Sequence, residues 1–275
     1  MNRLLLVLGS ILCISLPASA QQRPLRTDDA ELLEVGRIRG ELGFEFLQKQ
    51  RYSLSGLEGD LARLGIAAMH VGVGEYAEFQ ISGVLQDFLS VTRRDASILP
   101  PSFTGNSTND FGDLVLATKI KLAREKGLRP ALAFKFAVEL PNAKHDSGLG
   151  NDETQFYASI LLSKRLGPTR FLGNIGLAIL GNPVYNGRQT DVLTYGAAIL
   201  LPLTPKLNLV GEINGRKGPS PERVGNEDQS QVRAGIQLQA LGLRWDLGGI
   251  AGLKSFDPDS GIACGVTYVF KAFHR

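Results

Sequence analysis

The sequence predicts an all-β chain that closes as a transmembrane antiparallel β-barrel of about twelve strands, with short turns at one rim and long loops at the other. Three observations predict it. Apolar residues recur with a period of two in segments of about ten, the connections between these segments alternate in length, and beyond the first twenty residues no apolar run approaches a membrane helix. A spanning helix needs about 20 consecutive apolar residues. A barrel strand averages to neutrality, because lipid-facing apolar and lumen-facing polar positions alternate. The chain's mean hydropathy is zero.

The alternation is clearest between Arg129 and Pro141, where Leu132, Phe134, Phe136, Val138 and Leu140 take one face and Ala131, Ala133, Lys135, Ala137 and Glu139 the other. A helical period of 3.6 would scatter those five apolar residues around a cylinder. Reading every such segment gives strands at 35–49, 61–73, 77–92, 111–124, 128–141, 153–165, 169–181, 192–204, 206–217, 229–240, 243–256 and 262–271. The second is the least regular, because Leu64, Ile66, Ala67, Met69 and Val71 do not settle on one face. Twelve is even, as closed single-chain barrels of bacterial outer membranes require.

Tight turns are expected at Gly74-Glu75, Lys126-Gly127, Gly167-Pro168, Thr204-Pro205 and Leu241-Gly242, and longer polar loops at 51–60, 93–110, 142–152, 182–191, 218–228 and 257–261. The short rim is expected to face the periplasm. In hydrocarbon every backbone group must be paired, so the last strand must seal against the first. In that last strand Ile262, Cys264, Val266, Tyr268 and Phe270 point outward and Ala263, Gly265 and Thr267 inward. Phe270 or Phe273 is the expected terminal aromatic read by the barrel-assembly machinery. The longest loop, stiffened by Pro100-Pro101, could rest across the mouth or fold inward.

Residues 1–20 place Arg3 before an apolar stretch and end in Ala18-Ser19-Ala20, the order of a secretory signal peptide. Cleavage after Ala20 is expected, leaving a periplasmic segment 21–34 and a barrel 35–275 in the outer membrane, in contact with its lipid. Removing Cys13 with the leader leaves Cys264 alone, which excludes an internal disulfide. The net charge of +3 falls to +2 without Arg3, too little to argue for nucleic acid.

The inward face of the alternation collects the candidate solute path. Its charged members are Lys119, Lys121, Lys135, Arg216, Arg233 and Arg244 against Glu139, Glu212 and Asp246, and its neutral members are Gln155, Asn174, Asn214 and Gln237. With Lys254, Asp113 and Glu153 the inward charges number seven cations and five anions. They either pair across a filled lumen or line a water-filled path with a weak anion preference. Lys119 and Lys121 are expected to stay wet.

No metal site and no cofactor is expected. His145-Asp146-Ser147 is a weak candidate for a hydrolytic site, because adjacent residues point in different directions and no rigid strand presents them. Asp257, Asp259 and Ser260 resemble part of a calcium loop without its further ligands.

Thr27-Asp28-Asp29-Ala30, Phe111-Gly112-Asp113-Leu114, Val138-Glu139-Leu140-Pro141, Leu162-Ser163-Lys164-Arg165-Leu166-Gly167 and Val210-Gly211-Glu212-Ile213-Asn214 together resemble an outer-membrane transporter family. That family is named after the meta-cleavage pathway of phenol degradation, and the resemblance spans nearly the whole mature chain. It implies an outer-membrane barrel acting as a channel, with no agreed substrate and no set of binding residues to carry over. The phenol name is not evidence for an aromatic solute.

Overall fold

The computed structural model describes residues 23–185, 188–219 and 224–272. The expected leader, its cleavage point at Gln21 and the terminal residue Phe273 lie outside them. Among the described residues there are thirteen strands: β1 (Arg37–Tyr52), β2 (Leu57–Gly72), β3 (Ala77–Arg94), β4 (Ser107–Asp110), β5 (Leu114–Ala123), β6 (Ala131–Leu140), β7 (Gln155–Leu166), β8 (Thr169–Gly181), β9 (Gln189–Thr204), β10 (Leu207–Lys217), β11 (Gln229–Ala240), β12 (Leu243–Gly252) and β13 (Ser260–Lys271). All neighbours are antiparallel. The ring closes where β1 pairs with β13 from Arg37↔Lys271 to Gln48↔Ser260, which leaves no open edge between first and last strand.

Twelve strands make the wall. The four residues of β4 pair with β3 in the same register as β5 does, Asp87↔Asp110 and Ser82↔Val115, so β4 is a broken-off continuation of β5. The expected boundaries fall within a few residues of these. The largest differences are at β2, which starts at Leu57 rather than 61, and at β12, which ends at Gly252 rather than 256. The first long loop therefore shrinks to a tight connection at 53–56.

The irregular facing of β2 has a local cause. Gly65 takes a left-handed φ of 64°, a conformation that costs an L-residue with a side chain about 1–2 kcal/mol. There the pairing of β1 with β2 slips by one, from Gly43↔Ile66 to Phe44↔Leu64. Leu61 is buried and Leu64 exposed before the slip; Met69 is exposed and His70 buried after it. One extra residue has moved the inward set from odd to even positions.

The facing of the clearer strands matches the alternation. Phe136 is 44% exposed and stacks on Phe156, whereas Ala137 is 5% exposed. On β13, Ile262, Tyr268 and Phe270 are exposed and Ala263 and Thr267 buried. Near the long-loop rim an apolar cluster of Leu47, Leu57, Leu61, Leu89, Ile250 and Ala263 packs with Phe103 and Leu149 from the loops. The longest loop lies over this end, held by Leu99 N to Leu54 O (3.0 Å) and Ser102 N to Asp146 O (2.9 Å).

Candidate functional site: the lumen and the segment that crosses it

Residues 23–34, expected to form a periplasmic segment, run inside the barrel. This corrects the sequence reading. A strand has its amides satisfied by the ladder; a segment crossing a lumen must find other partners or leave buried polar groups unpaired. Here the wall supplies them. Glu212 accepts the backbone N–H of Arg26 and of Thr27, both at 2.7 Å. Ser163 Oγ accepts from Ala30 N at 2.8 Å, and Glu78 from Leu33 N at 2.6 Å. The Asn174 amide, in the orientation that satisfies both its groups, accepts from Asp28 N and donates to Asp28 O.

Ion pairs reinforce this docking around the circumference. Asp28 faces Lys135 at 2.9 Å and Lys119 at 3.4 Å, and Asp29 meets Arg170 at 2.8 Å. On the opposite wall Arg23 stands 3.6 Å from Asp246, and Arg26 stands 3.7 Å from Glu45. Apolar contacts fill the gaps: Leu25 packs on Leu172, Ala198 and Val210, and Ala30 on Ala131, Ala133 and Leu161. Small wall residues make the room. A Cβ on Gly196 would stand 2.7 Å from Thr27 Oγ1, and one on Gly43 would collide with the Arg23 guanidinium.

Lys119, Lys135, Asn174, Glu212, Arg233, Gln237 and Asp246, all expected in the lumen, thus meet at this segment. Arg233 is buried, 2.6 Å from Glu45, and donates to Pro24 O. Gln237 donates to Arg23 O at 2.7 Å, and Asn214 to Glu212 at 2.9 Å. Arg244 is buried and donates to Thr267 Oγ1. Glu139 and Gln155 accept hydrogen bonds from the Tyr157 hydroxyl, and Arg216 donates to Glu227 O. Lys121 sits at the short-turn rim, where its Nζ donates to Glu75 O. Lys119 does not stay wet: its side chain is 0% exposed and lies 3.5 Å from Glu78.

Sequence reasoning missed an equally charged inward set on the first three strands. Arg39 pairs with Glu41 at 3.0 Å and contacts His70, which lies 3.1 Å from Glu78. Arg63 pairs with Asp87 at 3.1 Å. The signal was present in the alternation of β1, but the slip at Gly65 obscured the facing of β2.

Open space remains on the long-loop side of the segment. A cavity of about 380 Å³ is lined by Arg26, Lys135, Glu139, Tyr157, Tyr195 and Arg216 together with apolar Val115, Ala137 and Leu161. A second, of about 640 Å³, reaches from Arg23 and Arg233 to Arg63, Asp87 and Asp113. Elsewhere, His145 pairs with Asp152 while the Ser147 hydroxyl donates to Lys144 O at 2.7 Å, so the two do not form a nucleophile and base. Asp257 accepts the amides of Ser230 and Lys254, and Asp259 pairs with Lys49.

No protein-family model and no curated protein matches the chain. Among solved structures it is similar to a COG4313 outer membrane channel from Pseudomonas putida F1, with a TM-score of 0.57 at 15% identity over 88% of this chain and 98% of that one. It is also similar to the NanC porin, with a TM-score of 0.50 at 8% identity over 86% of this chain and 100% of that one. At these identities the likeness is one of fold. The chain is a closed, twelve-stranded antiparallel barrel of the outer-membrane type.

Proposed function

We propose that the chain is an outer-membrane channel for passive or facilitated passage of small solutes, and that residues 23–34 gate its axial path. The observation that carries this reading is the occupancy of the lumen. A barrel serving only as structure can fill its interior with wall side chains. This one encloses a separate segment, tethered at one end to β1, and still keeps cavities of about 380 and 640 Å³ beside it. The exposed apolar belt that includes Phe136, Ile175, Leu247 and Tyr268 suits outer-membrane lipid, and the barrel-assembly machinery is its expected insertion partner.

The alternative is a structural barrel whose lumen stays shut. Planar-bilayer conductance separates the two. Full-length protein is expected to show small or intermittent conductance, and a variant lacking residues 23–33 a larger, steadier one with weak anion preference. Two correctly folded but silent proteins would establish the structural reading instead.

A further inference from the structure

One lateral row crosses six neighbouring strands at the level of the 380 Å³ cavity. Lys135 on β6 pairs with Ser159 on β7, Ser159 with Gly176 on β8, Gly176 with Thr194 on β9, Thr194 with Arg216 on β10, and Arg216 with Gln229 on β11. Residues directly opposite in a ladder point to the same face, and every member of the row except Gly176 lines the cavity. Gly176 keeps the row clear, because a Cβ there would collide with Ser159 Oγ.

Most of this row is unused by the protein. Lys135 is engaged by Asp28, but the side chains of Ser159, Thr194 and Gln229 meet no hydrogen-bond partner among the described residues. Arg216 gives its Nε–H to the Glu227 carbonyl and meets no carboxylate at ion-pair distance among the described residues. From the lumen segment, Arg26 also lines the cavity; its side chain is 44% exposed and only leans on Glu45 at 3.7 Å, since Arg233 already holds that carboxylate at 2.6 Å. The unmatched anion is Glu139, which accepts from the Tyr157 hydroxyl and meets no cation at ion-pair distance among the described residues. Two guanidiniums thus stand against one carboxylate around a space large enough for a small-molecule ligand.

We propose that this wall binds a small hydroxylated monocarboxylate, its carboxylate at Arg216 and Arg26 and its hydroxyls along Ser159, Thr194 and Gln229; its role in transport rests on the channel reading. A carboxylate is the group that a guanidinium fork engages with two parallel bonds. Hydroxyls both donate and accept, as the free side chains of the row do. Glu139 can only accept, so it takes a ligand hydroxyl and repels a second carboxylate, which orients the ligand and disfavours dianions. An ammonium group would add a third cation beside the guanidiniums, and a plain hydrocarbon tail would leave the row's polar groups unpaired. Val115, Ala137 and Leu161 supply a short apolar surface for the ligand's carbon chain.

D-gluconate is the probe, with D-glucose, which keeps hydroxyls without the carboxylate, and butyrate, which keeps the carboxylate without hydroxyls, as comparators. Affinities are read on the full chain in detergent micelles by ligand-observed NMR titration, and heat-modifiable mobility verifies that each variant is folded. Gluconate should bind about ten-fold tighter than either comparator. Arg216→Gln should weaken gluconate about ten-fold, and Thr194→Val, which keeps the side-chain shape, should weaken it roughly five-fold while leaving butyrate unchanged. Should Arg216→Gln fail to fold, Thr194→Val carries the test. Equal affinities for the three probes, or gluconate binding indifferent to the folded variants, would overturn the site. Binding is read without current, so the two readings fail separately. A conducting barrel indifferent to gluconate would overturn the site and keep the channel, whereas a silent barrel that binds gluconate selectively would keep the site and overturn the channel.

Discussion

Lys119 Nζ stands 3.4 Å from the Asp28 carboxylate and 3.1 Å from the Asp29 carbonyl, joining the middle of β5 to a segment ninety residues earlier in the chain. With Lys135 on the other side of Asp28 and Glu78 behind Lys119, four charged groups close over one another without access to solvent for Lys119. Such a cluster is a weak source of net stability but a costly one to break, because the group left behind stays buried and unpaired.

Asp28→Asn should therefore loosen the lumen segment far more than it affects the wall. Removing one partner of a buried pair costs about 3–5 kcal/mol, which corresponds to a change in docking equilibrium on the order of 100-fold or more. A cysteine placed at Thr27 in a Cys264→Ser background reports it. Its reaction with a small thiol reagent should accelerate strongly in Asp28→Asn, while the folded band on a non-boiled gel persists. Unchanged labelling would show that the segment is held by its backbone contacts to Glu212, Ser163 and Glu78 instead.

Facing on β6 gives a second expectation. Arg at the lipid-facing midplane of a barrel costs about 2–4 kcal/mol, so Phe136→Arg should lower the folded fraction. Ala137 faces the 380 Å³ cavity near Glu139, so Ala137→Arg should assemble better. Heat-modifiable mobility after in-vitro folding reads the difference, and equal yields at the two sites would contradict the facing.

The wall was legible in the sequence because lipid and lumen impose a strict period on each strand, and because rim lengths alternate independently of that period. Twelve strands and the inward placement of Lys135, Glu212 and Arg233 followed from those two patterns. The segment 23–34 was not legible, since it has no period and gains its partners only from the closed wall. In retrospect Asp28 and Asp29 supply anions for an inward set with more cations than anions. Lys119 was read as wet for the same reason: the ligand that buries it lies outside every strand. Gly65 shows the other limit, where one left-handed residue reverses the facing of half a strand.

Topology gives a third expectation, tied to the proposed location. Ser147 lies in the loop between β6 and β7 on the long-loop rim, and Lys126 in a tight turn on the other. In a Cys264→Ser background a cysteine at 147 should react with a membrane-impermeant thiol reagent on intact cells, and one at 126 should not. Asn226, on the same loop rim as Ser147, is a poor reporter because it is buried at 1% exposure. Labelling at 126 with none at 147 would invert the orientation.

The last expectation concerns the same loop. His145 Nδ1 contacts the Asp152 carboxylate, and its backbone N–H also bonds Asp152 at 3.1 Å. The hydrogen bond to Asp152 raises the imidazole pKa above its ordinary value, with the charge of the same carboxylate and of Asp146 adding to it. A raised folded pKa means that the contribution to loop order is complete below the unfolded value of about 6.5 and is lost as pH rises through the folded one. Loop 142–152 should therefore exchange its amide hydrogens more slowly at acidic pH, after correction for intrinsic exchange, and loosen above neutrality. Asp152→Asn should bring the His145 titration, followed by its ring-proton shifts in NMR, back towards the ordinary value and remove the pH dependence of the loop. Because both side chains are nearly half exposed, salt should weaken the effect. A His145 titration that does not move in Asp152→Asn would assign the shift to some other neighbour.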